Sequence, residues 1–331
     1  MKRMSKPLLT VIAAGVLAGL SGTAAAQTPD PGQLVDALEG VFGKQPGARR
    51  SGAKGVCATG FFVGTPEGRG LSTAAVFKGA EIPTVIRFSI GGGNPKAPDK
   101  GKTVRGLAIK INGPGKESWE QANISAPVFF VNSPANFVKF FEARRPVPGT
   151  GGPDPAKVKA FNDSHPDAKP QIAYLASAPV PASYGAVNYW GTNAFIFTGP
   201  DNKKRAGKWV FEPARGVEGL TEDQLKALPN DFLVDELKAR LAKGNVAFNF
   251  NVQIAEAGDV INDATVPLPA GRKVVNAGRL VVEKLDESGA SCDKITFNPL
   301  VLPKGIAPSD DPVLMARPGA YAVSLGRRLQ K

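Results

Sequence analysis

Alternating apolar and polar positions indicate that much of this chain forms β-strands. The clearest case is Val246 to Ile254, where every second residue is apolar and the residues between are Ala, Asn and Gln. A period of two buries one face of a strand and leaves the other polar. Similar runs between clusters of Gly, Pro, Asp and Lys predict strands at Gly60 to Gly64, Thr84 to Ile90, Val104 to Asn112, Pro127 to Val131, Ala194 to Thr198, Lys208 to Glu212 and Arg279 to Val282.

Apolar residues at helical spacing are confined to a few regions. Thr221 and Gln224 have the spacing of a capping box, and Gly43 is placed to end the first helix. The predicted helical regions lie between Gln33 and Val41, within 135–164, within 221–243 and after Asp311. Many short strands with helices gathered between them favour an antiparallel α+β fold, for which a closed barrel is a suitable form.

The first 26 residues have the features of a secretory signal peptide. Three basic residues among the first six precede an apolar run from Leu8 to Leu20, and Ala24 to Ala26 supply a small-residue cleavage site. The apolar run has about 13 residues, fewer than the ~20 of a membrane-spanning helix. We therefore expect an exported protein, periplasmic or otherwise, cleaved near Ala26 and without a membrane span.

The positive charge of the chain does not identify a partner by itself. After the signal, 38 Lys and Arg stand against 29 Asp and Glu, a net charge of about +9. A concentrated basic face would favour nucleic acid, but the excess is spread out, and the basic cluster from Lys203 to Lys208 lacks interleaved aromatic residues. We expect a solvated surface and no nucleic-acid partner.

The few histidines and cysteines exclude several kinds of site. His165 is the single histidine, so centres built from several imidazoles are excluded, and its polar, turn-like segment makes it a poor base for a hydrolase. Two cysteines cannot form a zinc or iron–sulfur cage. Cys57 and Cys292 form either a disulfide or two buried thiols, and both alternatives stay open. Any metal must have mainly oxygen ligands or belong to a prosthetic group.

Two glycine-containing stretches do not match nucleotide-binding loops. Gly101 to Thr103 resembles the end of a phosphate-binding loop, but Lys96 stands where that loop requires glycine. The three glycines at 91–93 lack the spacing of a dinucleotide fingerprint. We interpret both stretches as plain loops.

Several short motifs follow one another along most of the chain. They are QPGARRSGAKG at 45–55, VIRFS at 85–89, RGLAIK at 105–110, APVFF at 126–130 with Phe137 after it, GTNAF at 191–195, QIA at 253–255 with Gly258 and Asp259 after it, and SDDPVLMARPGAYAVS at 309–324. In order and spacing they resemble the haem catalases, especially the small catalase-related peroxidases. The resemblance covers roughly residues 33–328. It implies one catalase-like domain over 27–331, with an antiparallel β-barrel core, surrounding helices and a haem b cofactor.

The last motif contains the residues that the resemblance assigns to the haem iron. In the family a tyrosine binds the iron and an arginine precedes it by four residues, which implies Tyr321 as the proximal ligand and Arg317 as its partner. A phenol with an ordinary pKa near 10 becomes a good ligand when a cation stabilises its phenolate, and an arginine at i−4 lies on the same helical face. Pro318 and Gly319 stand between the two, and we expect them to interrupt the helix.

The resemblance also assigns residues around the rest of the haem. It implies that Arg49 contacts a propionate with the help of Arg87, and that Phe137 lies against the porphyrin. Asn123 and Ser125 both lie near the position of the family's distal asparagine, although the spacing to the following proline matches neither cleanly. We take Asn123 as the distal polar residue.

The chain departs from the family at the distal base. Gly52 stands where the family has its histidine, so Ser89, which lies close to that histidine in the family, lacks its usual partner. Peroxide heterolysis needs a base that takes a proton from one oxygen and returns it to the other, and losing such help typically costs ~10²–10⁴-fold. The expected function is an antioxidant haem peroxidase that reduces hydrogen peroxide or organic peroxides with an unidentified donor. The alternative is a haem-binding sensor, carrier or scavenger with little or no turnover.

Overall fold

Eight antiparallel strands close into a barrel in the computed structural model, which describes residues 28–330. The strands are β1 (Gly55–Gly64), β2 (Glu81–Ile90), β3 (Arg105–Asn112), β4 (Ser118–Ile124), β5 (Tyr189–Thr198), β6 (Lys204–Pro213), β7 (Val246–Ile254) and β8 (Val274–Asp286). Their order is β4-β3-β2-β1-β8-β7-β6-β5, and the pairing of Ile124 with Trp190 closes the ring. A short strand, β9 (Ile306–Pro308), pairs with β5. The predicted antiparallel barrel is confirmed.

Helices lie around this barrel, as the α+β prediction expected. Over the described residues they are α1 (Pro31–Phe42), α2 (Pro66–Leu71), α3 (Pro134–Glu142), α4 (Pro155–Ser164), α5 (Lys169–Ser177), α6 (Glu222–Ala227), α7 (Leu233–Leu241) and α8 (Pro312–Leu329). The predicted capping box of Thr221 and Gln224 begins α6. Gly43 follows the last residue of α1 with φ +74° and donates to the carbonyl of Glu39. The sequence patterns did not predict α2 or α5.

One face of each strand fills the barrel. On β7 the side chains of Phe248 and Phe250 are completely buried, as the alternation predicted. The Phe250 ring lies 4.8 Å from that of Phe211 and 5.8 Å from that of Phe62, measured between ring centroids. These three aromatic rings come from three different strands, so their packing holds the closed barrel together.

The fourth strand differs from its prediction. Pro127 to Val131 forms bends and not a strand, and the strand in this part of the chain is β4, Ser118–Ile124, which was not predicted. Pro127 has no N–H to donate to a ladder. Phe129 instead donates its N–H to the carbonyl of Ala264 at 2.8 Å, outside the sheet. The apolar run is therefore a buried connection that leads from β4 to α3.

The last helix continues through the positions expected to interrupt it. Pro318 and Gly319 both lie within α8, which is one unbroken helix. A proline inside a helix removes one backbone hydrogen bond. The N-cap residue, Asp311, stabilises the start of α8, because its carboxylate accepts hydrogen bonds from two backbone N–H groups of the first turn. The prediction of an interrupted helix is wrong.

The structure joins the two cysteines. Cys57 of β1 and Cys292 form a disulfide across 235 positions of sequence, and both residues are buried. Their neighbours include Phe297, Val85 and Ala108. Of the two alternatives left open by the sequence, the structure has the disulfide.

No helix within residues 28–330 is both long and apolar enough to cross a bilayer. The predicted signal peptide, residues 1–26, lies outside the described residues, so cleavage and export stay predictions.

Candidate functional site

A cavity of about 270 Å³ lies against the outer surface of the barrel. Helix α1 borders it on one side and α8 on another. Arg327 of α8 forms ion pairs with Asp36 and Glu39 of α1, at 2.7 and 2.9 Å, so residues far apart in sequence enclose the space together. The wall on the barrel side consists of residues of β2, β3 and β4 whose neighbours fill the barrel core, namely Arg87, Ser89, Gly106, Ala108, Ala122 and Ile124.

Tyr321 and Arg317 lie one turn apart on the face of α8 that borders this cavity. Arg317 donates from Nε and Nη2 to the phenol oxygen of Tyr321, at 3.0 and 2.7 Å. Two hydrogen bonds from a permanent cation orient the phenol oxygen and place positive charge beside it. The structure therefore brings together the two residues of the predicted proximal pair, and their oxygen lies at the cavity.

The buried side-chain amide of Asn193 accepts a hydrogen bond from the Arg317 guanidinium. Arg317 Nη1 donates to Asn193 Oδ1 at 3.0 Å, and Asn193 Nδ2 donates to Asp311 Oδ2 at 2.8 Å. Asp311 is completely buried, and this burial raises the pKa of its carboxyl group. The contacts form a continuous line from the phenol oxygen of Tyr321 to the N-cap of α8. We infer that Asn193 positions Arg317.

Asn193→Ala should lower the free energy of unfolding by about 1–3 kcal/mol, because it removes a hydrogen bond from a buried carboxylate. Urea denaturation measures the change. The matched control is Asn251→Ala, since Asn251 donates to a carboxylate, that of Glu212, at 2.6 Å in a less buried place. Equal losses in the two variants would contradict a special contribution of the buried amide.

Three guanidinium groups converge at another part of the cavity wall. They belong to Arg49, Arg87 and Arg328, and none of them forms a salt bridge with another described residue. Burial, together with the cations of Arg87 and Arg328, lowers the pKa of Arg49 to about 9, and burial lowers the pKa of Arg87 to about 10. Arg328 Nη2 is buried without a hydrogen-bond partner. Buried, unpaired cations favour the binding of an anion.

These features fit the haem implied by the sequence. A porphyrin is a flat apolar ring with two carboxylates, and the cavity offers apolar walls beside a group of cations that lack carboxylate partners. Tyr321 supplies an oxygen ligand on one wall. Phe137 of α3, predicted to lie against the porphyrin, lines the cavity and packs on Phe141 with ring centroids 4.8 Å apart.

Gly52 lies beside Ser89, the residue that the resemblance places next to the distal base. A Cβ built on Gly52 would lie 3.0 Å from Ser89 Oγ and 3.6 Å from Arg87 Nη1. The φ of Gly52 is +61°, in the left-handed region that favours glycine. The wall at this position therefore carries a hydroxyl and no imidazole.

Gly52→Ala should destabilise the protein more than Gly47→Ala. Both glycines have a left-handed φ, +61° and +71°, which costs an alanine about 1–2 kcal/mol. Only at Gly52 would the new methyl also crowd a neighbour, Ser89, since nothing lies within 4 Å of a Cβ at Gly47. Thermal denaturation compares the two variants. The difference should shrink in a Ser89→Ala background, and a difference that persists there would contradict the crowding.

The Asn123 amide is not turned to the cavity. Its Oδ1 accepts from Trp209 Nε1 at 2.7 Å, and its Nδ2 donates to the carbonyl of Leu107 at 3.0 Å. Trp209 belongs to the barrel core, so the amide points inward while its neighbour Ile124 lies on the cavity wall. Asn123 lines the cavity, but both polar groups of its amide are bonded to Trp209 and Leu107, so the amide is not free for the predicted distal role.

His165 is also placed away from the cavity. It stands at the end of α4, where its ring stacks on that of Phe161 at a centroid distance of 4.0 Å. This agrees with its interpretation as a residue without a catalytic role.

Known proteins with similar sequences show the family of this chain. A family model described as catalase matches residues 33–330. This chain belongs to the catalase family. A catalase-related peroxidase of Synechococcus elongatus is 40% identical over 322 residues, which cover 97% of this chain and 94% of that protein. A catalase-related peroxidase of Mycolicibacterium paratuberculosis is 34% identical over 303 residues, 91% of this chain and 95% of that protein.

Solved catalases share the fold of this family member. A fungal catalase matches with a TM-score of 0.79 at 23% identity, over 86% of this chain and 60% of its own. Catalase A from Saccharomyces cerevisiae matches with a TM-score of 0.78 at 22% identity, over 85% of this chain and 61% of its own. The chain thus shares the fold of these catalases and spans about three fifths of their length.

Two residues of the site were not predicted from the sequence. Arg328 follows Tyr321 by seven residues, and that spacing on a helix marks the same face. Asn193 lies within the GTNAF motif, but its contact with Arg317 spans 124 positions, so no local pattern indicates it.

Proposed function

We propose that this member of the catalase family is an exported haem b peroxidase that reduces hydrogen peroxide or organic peroxides and protects against oxidative stress. The electron donor is a separate molecule whose identity the chain does not reveal. The observation that carries the proposal is the bidentate contact of Arg317 with the Tyr321 phenol oxygen at a cavity that three guanidiniums without salt bridges also line.

The residues of the cavity have distinct roles in this proposal. Tyr321 would supply an oxygen ligand to the haem iron, and Arg317 holds that oxygen with two hydrogen bonds. Arg49, Arg87 and Arg328 hold the two propionates and fix the orientation of the ring. Haem, when bound, supplies a redox-active iron centre. On the opposite wall the Ser89 hydroxyl can donate a hydrogen bond to a peroxide, whereas Gly52 offers no side chain to move its proton.

The proposal is tested by the absorption spectrum of haem-loaded protein. A phenolate-ligated ferric spectrum is expected for the wild type, and Tyr321→Phe should lose it, because phenylalanine has no oxygen to bind iron. The matched control is Tyr174→Phe, a half-buried tyrosine on α5 that does not line the cavity. An unchanged spectrum in Tyr321→Phe would refute the ligand assignment.

A second function is favoured by the distal wall. On this wall Ser89 supplies a hydroxyl next to Gly52, and the amide of Asn123 is turned inward. Neither these residues nor the nearby Ile124 provides a base. A haem-binding sensor, carrier or scavenger would need the proximal pair and the guanidiniums but no base. Peroxidase turnover measured on haem-saturated protein separates the two functions, since negligible turnover with tight haem binding would favour the second.

A further inference from the structure

A segment without regular structure borders the cavity near the guanidinium groups of Arg49, Arg87 and Arg328. The 287–299 segment follows β8 and contributes Thr296 and Phe297 to the cavity wall. Phe297 has a φ of +55°, which is unfavourable for a bulky residue. A backbone conformation of this kind persists when the surrounding structure enforces it. The contacts that hold this segment therefore also hold part of the cavity wall.

Two carbonyls of the 287–299 segment hold Arg49. Arg49 Nη2 donates to the carbonyls of Cys292 and Ile295, at 2.9 Å each, and its guanidinium lies 5.6 Å from the centroid of the Phe297 ring. These backbone oxygens are neutral, so they orient the guanidinium without neutralising it. Asp293 of the same segment lies near enough to act on the Arg49 charge but forms no salt bridge with it. The position of Arg49 depends on the position of the segment.

The Cys57–Cys292 disulfide ties this segment to the barrel. Cys57 lies on β1, and Cys292 is the residue whose carbonyl accepts from Arg49. Two weaker restraints act on either side of it: Asp286 accepts from the Ser291 N–H at 2.7 Å and Glu120 accepts from the Asn298 N–H at 2.6 Å. Of these contacts, the disulfide is the covalent one, and it lies directly at the Arg49 site.

We propose that the Cys57–Cys292 disulfide controls the affinity for haem by fixing the 287–299 segment that orients Arg49. This inference rests on the proposed haem cofactor. A dithiol can reduce the disulfide: two electrons and two protons pass to the sulfurs, which become two thiols, and the dithiol becomes a disulfide. The reduced segment keeps its hydrogen bonds and its apolar packing but loses its covalent link to β1, so Arg49 is held less firmly. The chain thus gains full haem affinity in an oxidising compartment.

Titration with ferric haem tests this coupling. We compare oxidised wild type with Cys57→Ala/Cys292→Ala, with Arg49→Ala and with the triple variant. Loss of the disulfide should weaken haem binding on the order of tenfold, typical of a coupling between sites. The triple variant should bind no more weakly than Arg49→Ala, because the disulfide acts through Arg49.

Arg87→Ala is the matched control, because the Arg87 guanidinium donates to the carbonyl of Ala53 and not to the 287–299 segment. In this background, loss of the disulfide should still weaken haem binding on the order of tenfold. Equal effects of disulfide loss in the Arg49→Ala and Arg87→Ala backgrounds would overturn the proposal, and so would equal haem affinity with and without the disulfide.

A measurement on wild-type protein covers the case in which the cysteine variants do not fold. Because coupling is reciprocal, haem should protect the disulfide by the same factor by which the disulfide strengthens haem binding. Haem-loaded protein should need on the order of tenfold more dithiothreitol for half-reduction than haem-free protein, as counted by thiol alkylation. Equal midpoints would overturn the proposal. Haem binding without peroxide turnover would count against the peroxidase function and leave this coupling intact.

Discussion

Haem-loaded Gly52→His protein should turn over peroxide faster than wild type, by up to ~10²–10⁴-fold. A Cβ at this position lies 3.0 Å from Ser89 Oγ on the cavity wall, so the substitution places an imidazole where this part of the wall has no base. Histidine is among the residues that adopt a left-handed φ more readily than most. The φ of +61° is therefore compatible with the substitution. The measurement is the initial rate per bound haem with hydrogen peroxide and an oxidisable dye.

Gly52→Asn is the matched control for this gain. Asparagine also tolerates a left-handed φ and fills similar space, but its amide does not act as a base. It should show no comparable increase. An equal increase in both variants would mean that filled space, and not proton transfer, raises the rate. An unchanged rate in Gly52→His with haem fully bound would contradict the assignment of residue 52 to the distal base position.

Phe250→Ala should lower the free energy of unfolding by about 3–5 kcal/mol. The Phe250 ring is completely buried and contacts aromatic rings from other parts of the barrel, including Trp119 and Trp209 at centroid distances of 5.6 and 5.8 Å. Truncation would leave a cavity that these large, rigid neighbours cannot readily fill. Urea denaturation followed by tryptophan fluorescence measures the loss.

Asn249→Ala is the neighbouring control. Asn249 lies one position earlier on β7 and on the opposite, partly exposed face. Its truncation should change the free energy of unfolding by less than about 1 kcal/mol, as is usual for such positions. Similar losses for the two variants would contradict the one-sided burial of β7.

A strand was predicted correctly where the side chains that it turns into the barrel are apolar. β7 was predicted with its observed bounds because its inward residues are Val and Phe. β4 was missed because its inward face includes Gln121 and Asn123 beside Trp119, so the buried side of this strand is not apolar. A period-two pattern detects burial only where burial and apolarity coincide.

The site could be predicted where its residues share one helix. Arg317 and Tyr321 were assigned from the resemblance of their motif to the family, and their spacing of four residues on one helix brings them into contact. The direction of the Asn123 side chain required the register of β4, and the link between Arg49 and Cys292 spans 243 positions. Contacts of this kind form only when the barrel closes, so no pattern within a short stretch of sequence predicts them.

The ion pairs between α1 and α8 also constrain when the cavity can exist. Arg327 reaches Asp36 and Glu39 across 291 and 288 positions, and Tyr321 lies on the same helix. During synthesis the ribosome therefore releases the residues of α1 long before their partners on α8 are made. A nascent chain can begin to pair its barrel strands, but it has no iron ligand and no closing wall until residues 313–328 have emerged. The cavity therefore cannot close around any cofactor before α8 has been synthesised.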